Sequence, residues 1–312
     1  MTKKIILLSL CSLLLAPCSA VEAQQPTKVT RIGFLDASTA SGSAVLVVAF
    51  RQEMSKLGWT EGKNITIDYR FAEGKNDRLP ELAADLVRLK VDLIVVTAGP
   101  PASDPVGEGL VASLARPGGN VTGVAALSPE LNTKRLEILK DAVPRLARVG
   151  LLLLPGSIPG QHLQLKELRP AALALKLKLE EIETQDDPKG LESAFQTATQ
   201  KQVNAIMTMV TRRFFAERKR IVELAGKNRL PAIYFQKEFV DEGGLMSYGA
   251  DYVDLYRRAA GYVDKILKGA KPADLPVQQA TKFEFVINLK AAKQIGLTIP
   301  GRVLERANQV IK

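Results

Sequence analysis

The chain of 312 residues has little of what most enzymes use: two cysteines, one histidine and one tryptophan, with aromatic residues at 5%. Both cysteines, Cys11 and Cys18, fall within the first 18 residues. Everything after them lacks a thiol, which excludes disulfides, thiolate metal sites and cysteine nucleophiles from that part. The single histidine, His162, stands in Gly160-Gln161-His162 near an expected helix start and reads as an exposed helix-entry residue. A Ser-His-Asp triad would depend on it alone, and no Gly-x-Ser-x-Gly elbow accompanies it. No P-loop or Gly-x-Gly-x-x-Gly follows a strand. The acidic pairs Glu180-Glu181 and Asp186-Asp187 read as solvated turns, and no group of residues has metal-ligand spacing. The expectation is a protein without catalysis and without a cofactor.

Long apolar runs are also missing, apart from one at the start. Lys3-Lys4, the apolar stretch Ile5 to Leu15 and the small-residue end at Val21-Glu22-Ala23 have the form of a secretory signal over residues 1–23. The apolar part is short for a permanent anchor. Leu15-Ala16-Pro17-Cys18 suggests a lipidation site at Cys18, but proline stands where a small residue is wanted, so release after Ala23 is the expectation. The formal net charge is +10. Export argues against nucleic acid as partner. The basic cluster Arg212-Arg213 and Arg218-Lys219-Arg220 reads as the solvated face of a helix, with weak attraction to anionic membrane surfaces a secondary possibility.

What is present is a regular alternation. Arg31 to Leu35 reads as a strand, and Val45, Val48, Ala49, Met54 and Leu57 fall near helical spacing before Gly58. Ile65 to Tyr69 alternates as a strand, and a helix follows from Asp77. The run Leu93 to Val96 is apolar and β-branched, as expected of a strand buried on both faces of a parallel sheet. Leu110, Val111 and Leu114 suggest a helix, and the turn Arg116 to Asn120 leads into a strand at Val121. A second series follows, with strands at Arg148–Leu154, Leu179–Glu183, Ala205–Val210, Pro231–Phe235 and Leu245–Tyr248. Helices separate them, and a long amphipathic helix spans Asp251 to Lys268. This is a doubly wound α/β pattern.

Several blocks carry a family resemblance: DPVGEGLVASLARPGGNVTG (104–123), RIGFLDAS (31–38), FRQEMSKLGWTEGKNITIDYRFAEGKNDRLPELAADLV (50–87), YFQKEFVDEGGLMSYG (234–249) and LPVQQATKFEFVINLKAAKQIGLTIP (275–300). Together they resemble the substrate-binding proteins of ABC transporters, tryptophan/tyrosine transport type, over nearly all of the chain after residue 28. The resemblance implies two doubly wound parallel-sheet lobes with a hinge and an inter-lobe cleft, as in type I periplasmic binding proteins. It places the first lobe at 28–123 plus 247–275 and the second at 124–246 plus 276–312.

The chain departs from the family pattern at one point. A helix and a strand usually separate the loop after the third strand from the Asp-Pro loop, yet here four residues, Pro100 to Ser103, lie between Gly99 and Asp104. Parallel strands need a crossover of about a dozen residues or more. The first lobe is therefore expected to be short by about one βα unit, on the order of twenty residues. Either Leu110–Leu114 serves as the crossover helix and the sheet closes up, or an exposed edge or apolar patch remains.

Ligands of open α/β sheets sit at the carboxyl ends of the strands. Those loops offer Asp36, Ser38, Thr97, Gly99 and Asp104 from the first lobe, and Gly156, Ser157, Thr211 and Gln236 from the second. Hydroxyls and N–H groups at helix starts hold a carboxylate. Asp104 would pair with an ammonium group, and Tyr248 or Phe235 would offer an apolar face. The same small and hydroxyl residues are ordinary turn formers and caps. Trp59, beside a helix end, reads as packing. The resemblance implies an exported, periplasmic, monomeric binding protein that closes on an aromatic or related amino acid and docks on an ABC permease. A ligand sensor and a paralogue with lost or altered binding stay open; a secreted enzyme is disfavoured.

Overall fold

A computed structural model describes residues 29–97, 105–106, 109–126, 128–156, 160–185, 187 and 189–312. The signal segment with Cys11 and Cys18, and the candidates Gly99, Asp104 and Ser157, lie outside the described residues.

The first lobe begins with β1 (Thr30–Asp36), α1 (Ala44–Lys56), β2 (Ile65–Phe71), α2 (Leu79–Arg88) and β3 (Leu93–Val96). The three strands form one parallel sheet in the order β2-β1-β3. Alternation along β1 decides its packing. Ile32 and Phe34 point into a core with Leu46, Phe50 and Met54 of α1. On the other face, a Cβ at Gly33 would stand 3.0 Å from the Leu86 side chain of α2, so glycine lets that helix sit close.

The chain continues through β4 (Val124–Ala125), α3 (Ser128–Ala142), β5 (Arg148–Leu153), α4 (Gln161–Ala174), β6 (Lys178–Glu183), α5 (Gly190–Gln200), β7 (Ala205–Thr208), α6 (Arg212–Ala216), α7 (Arg218–Lys227), β8 (Ala232–Tyr234), α8 (Glu238–Asp241) and β9 (Met246–Ala250). It ends with α9 (Tyr252–Leu267), β10 (Gln278–Gln279), β11 (Phe283–Asn288), α10 (Leu289–Gln294), α11 (Gly301–Leu304) and β12 (Gln309–Ile311). Seven strands form the second sheet in the order β12-β11-β9-β8-β7-β5-β6. All neighbours are parallel except β11 and β9. Its core is continuous from α3 through β5, β7 and β8 to α10 and α11.

Helix α9 belongs by packing to the first lobe: Tyr256, Ala260 and Val263, at helical spacing, complete the core under β1 and α1. Asp251 starts it by accepting the Asp254 N–H at 2.9 Å. Trp59 packs at the edge of the same core, its Nε1 donating to Asp264 at 2.8 Å, which agrees with a packing role. Strands β4 and β10 pair with each other in a separate two-stranded sheet.

The structure differs from three sequence expectations. Residues 109–116 form turns and bends, not a crossover helix. The expected strand at Val121 begins at Val124 and is two residues long. The run Leu93–Val96 is not buried on both faces: with β1 on one side alone, β3 is an edge, its first three residues are half-buried and Val96 is 44% exposed. Among the described residues the stretch between β3 and β4 forms turns and bends, so no crossover helix returns the chain beside β3, and β3 and β4 remain unpaired with each other.

Candidate functional site

The carboxyl ends of the two sheets meet at Arg212. This first residue of α6 leaves the end of β7 and reaches the first lobe, where Nη2 and Nε donate to the Thr97 carbonyl at 2.9 and 3.3 Å. Its guanidinium lies 5.4 Å from the Tyr252 ring centroid and 5.9 Å from that of Phe215. The expectation that Arg212 belongs to a solvated basic face is therefore overturned, because helix α6 starts at the inter-lobe contact and turns this side chain inward. Arg218 is also partly buried, donating to the Phe215 carbonyl and pairing with Glu242 at 3.3 Å.

Thr97 is in turn fixed by Asp36, which is fully buried at the end of β1. The Asp36 carboxylate accepts from the Ser38 N–H at 2.7 Å, the Ser43 hydroxyl at 3.0 Å, the Thr97 hydroxyl at 2.7 Å and the Tyr256 hydroxyl at 3.2 Å. Burial pushes the Tyr256 phenol up, against the opposing charge of Arg212, so it stays a donor. Four donors occupy the lone pairs of one carboxylate, which makes Asp36 a junction between β1, β3, α1 and α9.

A second polar chain crosses the second lobe. Arg135 of α3 is 2% exposed and donates through Nε to the Tyr248 carbonyl at 2.7 Å and through Nη1 to the Asn132 side-chain oxygen. Asn132 donates to Gln164 at 2.9 Å. The Gln164 amide clasps the backbone of Val210, accepting its N–H at 3.0 Å and donating to its carbonyl at 3.2 Å. The chain runs from β9 to the loop that carries Thr211 and Arg212. No carboxylate pairs with Arg135 among the described residues, and desolvation pulls its guanidinium down to about 10 despite the nearby Tyr252 and Tyr248.

The sequence-predicted residues divide as follows. Ser38 and Thr97 come together on Asp36. Among the described residues the Ser38 hydroxyl is buried without a partner, and so are both polar atoms of the Gln236 amide, which is 2% exposed at the end of β8. Thr211 caps α6, its hydroxyl accepting the Phe214 N–H at 3.1 Å. The Tyr248 ring stacks on Phe283 at 6.4 Å and meets Phe285 edge-on, while Phe235 is buried against Phe239. His162 is exposed in the first turn of α4. Sequence reasoning missed Arg212, Arg135, Asn132 and Gln164. The available signal was that Asn132 and Arg135 fall on the stripe of α3 that also carries Leu136 and Leu139.

A cavity of about 700 Å³ runs along the free side of β3. Its walls include Leu93, Val95, Tyr252, Leu255 and Val263, with Thr97 and Arg212 at one end. Among the described residues, no group of three or more histidine, cysteine, aspartate or glutamate side chains could hold a metal ion, and no helix is long and apolar enough to cross a membrane.

Comparison with known proteins is consistent with this architecture. Residues 42–311 match the profile of a family described as ABC transporter substrate binding protein. A tyrosine-binding protein of Clostridioides difficile is 25% identical over 271 residues, covering 80% of this chain and 75% of that protein. The crystal structure of an ABC domain in complex with L-Trp from Streptococcus pneumonia has a TM-score of 0.80 at 28% identity, covering 90% of this chain and 99% of that one. A conserved domain protein from Vibrio cholerae has a TM-score of 0.81 at 28% identity, with 91% and 100% covered.

Proposed function

Since the chain belongs to the ABC transporter substrate binding protein family, we propose that it takes up a small molecule between its lobes and presents it to an ABC permease in the membrane. The proposed cargo is an aromatic or related amino acid, in keeping with the tyrosine and tryptophan named for two relatives. Residues 1–23 direct export to the periplasm, where the protein acts as a monomer without a cofactor. Lobe closure is the working step: a ligand that touches both lobes favours the closed state by its difference in affinity for the two states.

The observation that supports this reading is the Arg212–Thr97 bond, which joins the carboxyl ends of the two sheets, the edge at which open α/β sheets in general bind ligands. A ligand carboxylate would share the Arg212 guanidinium, and Ser38 and Gln236 have polar atoms left to offer. Gly99, Asp104 and Ser157 complete the proposed set, with Thr211 and Tyr248 behind it as supports. The chain crosses between lobes near 123, near 250 and near 278. The resemblance implies crossings near 123, 246 and 276; the pairing of β9 within the seven-stranded sheet and of β10 with β4 supports moving the later two by a few residues.

Thermal unfolding with a panel of amino acids tests the reading, because a ligand that binds only the folded state must raise the midpoint. Tryptophan, tyrosine or phenylalanine is expected to raise it. Arg212→Gln is expected to weaken that ligand at least ~10-fold, in line with the loss of one charge-assisted hydrogen bond. A cooperative melt that no aromatic amino acid moves would remove this class of cargo.

A further inference from the structure

The cavity beside β3 is more than spare space behind the cleft. It lies between the edge of β3 and the short strand β4, where the family resemblance implies a further βα unit, and residues 91–97 and 120–124 line it. In a parallel sheet a strand directs its N–H and C=O groups to both sides. Strand β3 has β1 on one side and this cavity on the other. Apolar side chains that a further strand would cover are left open there: Val96, Leu110 and Val121 are 44%, 41% and 36% exposed, and all three line the cavity. At about 700 Å³ the space is in the range of pockets for drug-sized ligands and exceeds what a single amino acid fills.

Charge is distributed unevenly along it. At the carboxyl end of β3 stands Arg212, with Nε and Nη2 on the Thr97 carbonyl and with no acceptor for Nη1 among the described residues. The nearby Asp36 already accepts four hydrogen bonds. Asp92, at the far end, accepts the Arg31 N–H at 2.9 Å. Among the described residues the compartment thus has aliphatic and aromatic walls and, at its cleft end, a cation with one donor that no acceptor meets. We propose that it binds an elongated apolar carboxylate, the carboxylate on Arg212 and the tail along β3 in place of the missing strand. This deepens the substrate-binding reading and rests on it: the cargo class shifts from a compact amino acid to an acid with a chain of strand-like length. Four residues of strand extend ~13 Å at ~3.3 Å each, about the length of decanoate.

Calorimetric titration and thermal unfolding of the whole protein with four probes test the proposal: sodium decanoate, decanol, neutral acetyl-Val-Ile-Val-Val-amide, and tryptophan. Decanoate is expected to bind and to raise the midpoint, with decanol at least ~10-fold weaker. Arg212→Gln should lower decanoate affinity at least ~10-fold and leave decanol unchanged. Ala259→Phe, which fills the cavity from α9 without touching Arg212, should abolish decanoate binding while the melt stays cooperative. Equal binding of acid and alcohol, survival of decanoate binding in Ala259→Phe, or no decanoate binding each overturn it. Binding of the neutral peptide in preference to decanoate also overturns it and identifies the free edge of β3 as a strand acceptor. Tryptophan separates the two readings: a tryptophan shift that persists in Ala259→Phe, with no decanoate binding in the parent, removes this inference and keeps the amino acid transport reading.

Discussion

Asp36 shows how one side chain can set the geometry of a cleft without facing it. Its carboxylate gathers donors from Ser38, Ser43, Thr97 and Tyr256, and through Thr97 it fixes the carbonyl that Arg212 grips. Asp36→Asn turns an amide N–H₂ toward a ring of donors and removes the charge. The expected cost is roughly 3 kcal/mol of stability, read by calorimetry, together with weaker ligand binding. A second residue-scale effect depends on pH. Burial pushes the Glu238 carboxyl of α8 up, with Asp241 and Glu284 adding to it and Lys237 opposing. The unfolded chain then releases that proton at lower pH than the folded one, so stability falls as pH rises from the ordinary carboxylate range through the raised folded value. Glu238→Gln is expected to raise the melting midpoint at pH 7 and to make no difference below the ordinary glutamate range. A variant that melts lower than the parent at pH 7 would contradict this account. The glycine before Ala250 is decided by backbone contact: a Cβ on Gly249 would stand 1.9 Å from the Phe235 carbonyl oxygen, which leaves no room for any other residue.

At the scale of elements, β3 is the exposed edge of the three-stranded sheet. An unpaired apolar edge is a template for another strand. Val96→Lys is expected to reduce light scattering of concentrated protein on warming, with stability changed by no more than ~0.5 kcal/mol, since the position is already 44% exposed. Most elements were legible in the sequence because apolar period and element type agree, as in Arg148–Leu153 and Tyr252–Leu267. The shortage of chain after Gly99 was legible too, as a departure from the resemblance, which implies a helix and a strand before the Asp-Pro loop. The outcome was not. Leu110, Val111 and Leu114 have helical spacing, but Pro105 and the Arg116–Gly119 turn bracket a stretch too short to nucleate a helix on its own. Arg212 was misread for a different reason. Charge clusters are usually solvated, and only the tertiary contact between the end of β7 and Thr97 turns one member of this cluster inward. Asn132, Arg135 and Gln164 sit on apolar helix faces, where polar residues are readable as irregularities but their partners are not.

Across the whole molecule the two lobes are unequal. The second has a seven-stranded sheet with a core continuous from α3 to α11, whereas the first has three strands, a smaller core and a cavity at its edge. Stability within a protein varies with such differences in buried apolar contact. Native-state hydrogen exchange is therefore expected to show the amides of β1 opening with a lower free energy than those of β5, and a bound ligand to narrow the gap. Equal protection of the two strands would mean that the cleft contact makes the lobes one cooperative unit. The inequality has an optical consequence. The protein contains one indole, and it belongs to the lesser lobe, where Trp59 is tethered to Asp264 of α9. Emission excited at the red edge of absorption is thus a single-channel record of that lobe, silent about the other. Spectral change on unfolding dates the loss of the first core, and circular dichroism then dates the second.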